Sequence, residues 1–357
     1  MTLTSEFIKK VPTENCGANT SNAYDFQKDW SIWLLLECHQ GLKDYLIIFD
    51  YHDDVVVFDS ATDAKNAEFY QVKTTSKQHW NFSDVIRKKK NSNSIIGKIY
   101  NNKFNCGVKS VNLVSNSQFN FTLQDGVNGK SKDCLCATEL TEGLKKKFRE
   151  CLKTEHKVED IPFEDIFFFK VSDIGTKNHS DEVLAKLTRF LEERFPDIKS
   201  KPVPFYQALF GEVSRKTNYG KTVSEYCGSL KRKSMSKQDF DKQLNNIAIK
   251  RNFTELWTSI EPVLISEGFN PLQTRNLRDK WDSLELHLMD STNSILQKVF
   301  QHAKSEIMRL RNQNSDVTNL TQVLKKSTES IVTTFHQLPQ VYDSEYLNCI
   351  TLAAFYE

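Results

Sequence analysis

Long apolar runs, paired cysteines and an excess of either charge are all missing from this 357-residue chain. The run Ile32-Trp33-Leu34-Leu35-Leu36 falls far short of the roughly 18 apolar residues that a membrane-spanning helix needs, so no membrane partner is expected. The stretch Met1 to Pro12 carries no apolar core of the kind a secretory signal requires. Eight cysteines are scattered without a Cys-x-x-Cys pair; Cys134 and Cys136 flank one residue, and nothing near them completes a zinc site. The eight histidines are dispersed as well. A reduced, cytoplasmic protein is the economical expectation. With a formal net charge of +2, no whole-molecule field argues for a polyanion.

What is present describes an ordinary folded chain, with 26% charged and 39% hydrophobic residues, long enough for two domains. Basic residues do cluster locally, at Arg87-Lys88-Lys89-Lys90, at Lys145-Lys146-Lys147 with Arg149, and at Lys231-Arg232-Lys233. Such runs read as solvated faces unless they line one groove. Lys77 together with Arg87, Lys88, Lys89 and Lys90 forms the candidate DNA-facing set.

Organisation follows from periodicity. A helix is expected from about Ala23 to Gln40, with Ser21 or Asn22 as N-cap and Gly41 as its stop. Three strands of an antiparallel meander then read from Tyr45-Leu46-Ile47-Ile48-Phe49, from Asp54 to Phe58, and from Glu68 to Thr74. A helix over about Asp84 to Phe104 leads to a buried strand at Ser110 to Ser115, and a further strand is expected at Ile166 to Val171. Strands interleaved with helices give the fold class α/β, with a mixed sheet flanked by helices and ending near residue 210. From about Lys237 onward helical periodicity dominates. Leu277, Trp281, Leu284 and Leu288, continued by Ile295, Val299, Ala303 and Ile307, predict one helix of some thirty-five residues, ended at Asn312-Gln313-Asn314. Final helices are expected near Thr321 to Leu338 and Glu345 to Tyr356. The domain reading is thus an N-terminal extension over 1–15, an α/β domain over 16–210 and an all-helical domain over 211–357.

The informative chemistry lies in Asp53-Asp54-Val55-Val56-Val57-Phe58 and Tyr70-Gln71-Val72-Lys73-Thr74. On a strand, Gln71 and Lys73 point one way and Val72 points into the core behind them. Hydrolysing a phosphodiester needs a deprotonated water, neutralisation at the phosphate and help for the leaving oxygen, and a hard divalent cation held by oxygens supplies all three. Asp54 would be the charged ligand, with the Gln71 side-chain carbonyl and the Val72 main-chain carbonyl beside it. Lys73 would face the attacking water. A one-residue slip in register makes Asp53 the ligand instead. Asp50 is a third acid in the same turn, and Glu37, late in the first helix, could approach from the layer below. By contrast, Gly126-Val127-Asn128-Gly129-Lys130-Ser131 lacks the glycine a phosphate-binding loop needs at position 124, where this chain has Gln124, so it reads as a hairpin turn.

Taken in order, Gly17-Ala18-Asn19, Tyr24-x-Phe26-Gln27, Asp53-Asp54-Val55-Val56 and Phe69-Tyr70-Gln71-Val72-Lys73-Thr74 resemble the double-stranded-DNA endonuclease domain of Cap-four-type antiphage effectors. The segments Gly211 to Lys216 and Met235 to Phe240 resemble the end of that domain. That family belongs to the restriction-endonuclease-like, PD-(D/E)xK superfamily, in which Gln-x-Lys often replaces the acid-x-Lys pattern. The resemblance implies a restriction-endonuclease-like fold, Mg2+ bound through Asp54 and Gln71 with Mn2+ as substitute, and Lys73 as the catalytic lysine. The helical tail is too short and strand-poor for a cyclic-nucleotide-sensing domain. It is more similar to the nuclease subunit of Lamassu-type defence, which implies an SMC-like ATPase, an accessory subunit and a homo-oligomer in the active state. Two alternatives stand beside this reading: a non-catalytic DNA- or partner-binding subunit, and a nuclease activated by a cyclic oligonucleotide.

Overall fold

Short runs rich in Val, Ile and Phe, each bounded by polar turns, build a seven-stranded mixed sheet. The computed structural model describes residues 21–88, 92–102, 107–159, 161, 163–196, 202–219, 226–249, 253–289, 293–312 and 319–356. A first helix, α1 (Ser21–Gly41), leads into β1 (Leu46–Tyr51), β2 (Asp53–Phe58) and β3 (Ala67–Lys73), then a short β4 (His79–Asn81), α2 (Phe82–Val85) and α3 (Ile95–Tyr100). Next come β5 (Val108–Ser115), β6 (Gln118–Asn120), β7 (Cys134–Cys136), α4 (Glu142–His156) and β8 (Phe167–Val171). The strand order is β7-β8-β5-β3-β2-β1 with a ninth strand, β9 (Ser234–Ser236), on the outer edge, while β4 and β6 form a separate pair. The meander β1-β2-β3 is antiparallel, whereas β3, β5 and β8 run parallel.

One face of the sheet buries Ile48, Val56, Phe69, Val111 and Phe169 against Ile96 and Ile99 of α3 and Phe148 and Leu152 of α4. Helix α1 packs against β3, its Trp30 ring 5.4 Å from the Tyr70 ring. The single helix expected over Asp84 to Phe104 is instead two short helices. An Asn81–Asp84 capping box opens the first, and the Ser94 hydroxyl accepts from Gly97 N to open the second. The Glu155 carboxylate holds Ser94 in place through its N–H at 3.2 Å and its hydroxyl at 3.0 Å. Polar residues that compete for backbone hydrogen bonds break a helix which propensity alone would continue.

The hairpin expected from sequence is closed by an antiparallel bridge between Thr122 and Asn128. Gly129 is buried just after it, opening a single 3-10 turn over Gly129–Ser131, and a Cβ there would lie 2.8 Å from both Phe119 O and Leu135 Cδ1. Gly129→Ala is therefore expected to cost about 1–3 kcal/mol by overpacking, visible as a lower urea midpoint at unchanged slope. On β3, Glu68 accepts from Tyr70 Oη at 2.6 Å and Lys109 Nζ at 2.7 Å. Burial alone would raise its carboxyl pKa, but these bonds and the Lys109 charge outweigh it and hold the group below the ordinary glutamate range. The sign follows from linkage: this stabilisation is present above the unfolded-state glutamate value and is lost as pH falls through the lowered folded value. Urea midpoints measured from pH 6 to 3 should fall at the acid end, and Glu68→Gln should flatten that fall.

Further along the chain come α5 (His179–Arg194), α6 (Pro202–Thr217) and α7 (Tyr226–Lys233), then β9, then α8 (Lys237–Ile249). Two compact units result, one holding the described residues up to Phe190 with Val213–Phe240, the other Leu191–Glu212 with the described residues from Asp241 on. In place of one boundary near 210, the chain passes between the units three times, after Phe190, Glu212 and Phe240, and the pairing of β9 with β1 is what brings it back to the sheet.

The second unit is helical: α9 (Phe253–Ser266), α10 (Pro271–Met289), α11 (Ser294–Asn312), α12 (Leu320–Thr334) and α13 (Ser344–Tyr356). Leu277, Trp281, Leu284, Leu288, Val299, Ala303 and Ile307 are buried in one core, as the stripe predicts. The thirty-five-residue helix does not form. Asn293 accepts from Leu296 N through Oδ1 and from Gln297 N through its carbonyl, starting a new helix. The new phase exposes Ile295 and buries Leu296 in its place. No described helix is long and apolar enough to cross a membrane.

Candidate active site

Asp54 and Gln71 meet because β2 and β3 pair with Val55 opposite Tyr70, which puts their neighbours across from each other on one face. The ladder ends at that rung, so the N–H and C=O of Val72 reach beyond it toward a side that β2 no longer covers. Buried backbone groups of this kind need partners. Asp54 Oδ2 accepts from Val72 N at 2.7 Å, and Gln27 Nε2 donates to Val72 O at 3.0 Å. The same Asp54 oxygen accepts from Gln71 Nε2 at 2.5 Å and from Gln27 Nε2 at 3.3 Å. Lys73 Nζ stands 3.7 Å away, its side chain 30% exposed.

These contacts bring some of the candidates the sequence offers together and leave others apart. Asp54, Gln71, Val72 and Lys73 converge. Asp53 does not join them: its carboxylate accepts from Asn102 Nδ2 at 2.7 Å and from Asp54 N at 3.0 Å. Asp50 pairs with Lys233, and Glu37 is bound by Trp33 Nε1 and Lys186 Nζ on an exposed flank. Of the candidate DNA contacts, Lys77 and Arg87 face the Asp84 carboxylate, which they and the Asn81 N–H hold below its ordinary pKa. Lys88 lies 3.6 Å from Glu155; Lys89 and Lys90 fall outside the described residues. Arg87 is exposed and Lys77 half exposed, so both have room to meet a phosphate.

Gln27 joins this cluster, bonding both Asp54 and Val72, and is absent from the sequence-derived ligand set. Its signal was a polar side chain within an otherwise apolar stripe, next to Phe26 and Trp30, which are buried. Two residues on, the buried Asp29 carboxylate lies 2.5 Å from His179 Nδ1 at the start of α5, with the Phe26 ring edge-on to that imidazole. No spacing rule could pair residues 150 positions apart.

The cluster brings together one carboxylate, one main-chain carbonyl and two side-chain amides whose Nε2 atoms face them. An amide turned about its last bond exchanges Nε2 for Oε1, so Gln71 and Gln27 can each present oxygen to a cation. Such a donor set fits Mg2+, which takes few protein ligands and keeps its remaining waters. Among the described residues no three His, Cys, Asp or Glu side chains converge on a metal position, so a cation here would rest on Asp54 for its protein charge.

A mixed sheet carrying an acid on one strand and Gln-x-Lys on the next is matched at the level of sequence. The family described as Cap4, dsDNA endonuclease domain, covers residues 15–217, more than half the chain, and the chain belongs to that family. A curated relative, Lamassu protein LmuA from Bacillus cereus (strain VD014), is 25% identical over 304 residues, 82% of each protein.

Proposed function

We propose that this chain is a Mg2+-dependent double-stranded-DNA endonuclease, the nuclease effector of an antiphage defence complex, held inactive until partner subunits release or assemble it. The observation that carries the reading is the convergence of Asp54, Gln71, the Val72 carbonyl and Lys73 at the open end of the β2–β3 ladder. Asp54, Val72 O and the Gln71 and Gln27 amides would hold the cation, which lowers the pKa of its bound water and neutralises the phosphate. Lys73 would sit beside the attacking water and stabilise negative charge that develops on the phosphate oxygens. Phosphate contacts dominate binding where no base-reading element is present, so affinity should fall steeply with salt.

Similarity to a Lamassu protein supports control by a multi-subunit assembly, with an SMC-like ATPase and an accessory subunit as the partners and a homo-oligomer as the cutting form. Hydrogen bonds already placed on Asp54 Oδ2 give the non-catalytic reading its one foothold, since the amides must turn before a cation binds. Plasmid cleavage by the full chain with its partner subunits separates the two. Linear or nicked product with Mg2+ or Mn2+, and none with chelator, supports the nuclease. Retention of DNA without cutting under every metal favours the binding subunit.

A further inference from the structure

The tip of the β1–β2 hairpin is held in a backbone conformation its residues do not favour. Asp50 and His52 both lie in the left-handed region, at φ 48° and 65°, which glycine enters freely and which Asp and His enter at a cost, though a smaller one than β-branched residues. Neighbouring contacts must therefore over-determine the turn for it to persist. On one side Lys233 Nζ donates to the Asp50 carbonyl at 2.6 Å and to its carboxylate at 3.2 Å. On the other, Asn102 Nδ2 holds Asp53.

Lys233 is not the solvated lysine that its run Lys231-Arg232-Lys233 suggests. Lys231 and Arg232 are exposed, but the Lys233 side chain is 8% exposed, and a buried ammonium is retained only with partners this close. It ends α7 immediately before β9, whose Ser234 pairs with Ile48 two residues ahead of Asp50. Its ammonium and the β9 ladder thus grip the same end of β1. Tyr51 pairs with Asp53, so any change in the turn at Asp50 carries Asp54 with it, away from Val72 and Lys73.

We propose that Lys233 is a positioning residue for the nuclease site: by clamping the left-handed turn at Asp50 it sets Asp54 against the Val72 main chain. The proposal rests on the metal-site reading above, and it places part of the site's support outside residues 15–217, the span of the family match.

Two measurements on the full-length chain test it: hydrogen exchange across 46–58 and 67–73, and Mn2+ binding by electron paramagnetic resonance. Lys233→Met is expected to speed exchange at the hairpin tip about tenfold and to raise the Mn2+ half-saturation concentration by a similar factor, with cooperative unfolding retained. Lys233→Arg, which keeps a donor and the charge, should restore both. Unchanged tip exchange in a folded Lys233→Met protein overturns the proposal. Should that variant not fold, Asp50→Asn removes the carboxylate charge while keeping a side chain that tolerates the left-handed turn, and a smaller shift in the same direction is expected; no shift overturns the clamp. Wild type that takes up no Mn2+ defeats the metal-site reading, while exchange still decides the clamp.

Discussion

Replacing Lys73 with alanine is expected to slow DNA cleavage about a thousandfold while leaving the sheet folded. Its ammonium stands 3.7 Å from Asp54 Oδ2, where a cation-bound water and a phosphate oxygen would both come within reach. Loss of that charge removes stabilisation that grows toward the transition state, so turnover should fall far more than DNA binding. The side chain is partly exposed and contributes little to the core. Stability should therefore shift by no more than about 1 kcal/mol. Single-turnover cleavage and thermal unfolding of the same preparation check both halves. Undiminished cutting would remove Lys73 from the site, and a cooperative unfolding midpoint many degrees lower would turn the effect into one of folding.

Trp281→Ala should be the most damaging single change in the helical unit. The indole is fully buried in that core; its ring lies 4.4 Å from Phe253 and 5.7 Å from Trp257, and Nε1 donates to the Phe253 carbonyl at 2.8 Å. Truncation leaves a cavity worth about 3–5 kcal/mol and an acceptor without its donor. Calorimetry of the full chain should show the helical unit melting earlier or failing to fold, with exchange protection of β1 to β3 retained. Unchanged unfolding of residues 253–356 would mean that Trp281 is not the core's keystone.

Local patterning is what the sequence revealed well. The meander was readable because β-branched runs alternate with polar turns, and Asp54, Gln71 and Lys73 could be placed side by side because two adjacent strands need only short-range pairing. Which of Asp53 and Asp54 lies against Val72 was beyond it, since that depends on strand register; the groups that bond Asp53 and Asp50, Asn102 and Lys233, lie far along the chain, the latter 183 positions from Asp50. Periodicity reported which face is buried at Leu277 to Ile307, but not continuity, which Asn293 interrupts by capping. The same competition by Ser94 divided the helix expected over Asp84 to Phe104. Gln27 was read only as part of the family-like motif, and not as a ligand, because its contacts, on Asp54 and on Val72, are made 27 and 45 residues away.

The most direct test compares Asp54→Asn with Asp53→Asn in Mg2+-dependent plasmid cleavage by the assembled complex. If Asp54 carries the charge of the cation site and Asp53 only ties the hairpin to Asn102, the first variant yields no product above the chelator control. The second should keep cleavage within about tenfold of wild type, the loss of one supporting hydrogen bond. Equal losses, or cleavage that survives in Asp54→Asn and fails in Asp53→Asn, would contradict the account.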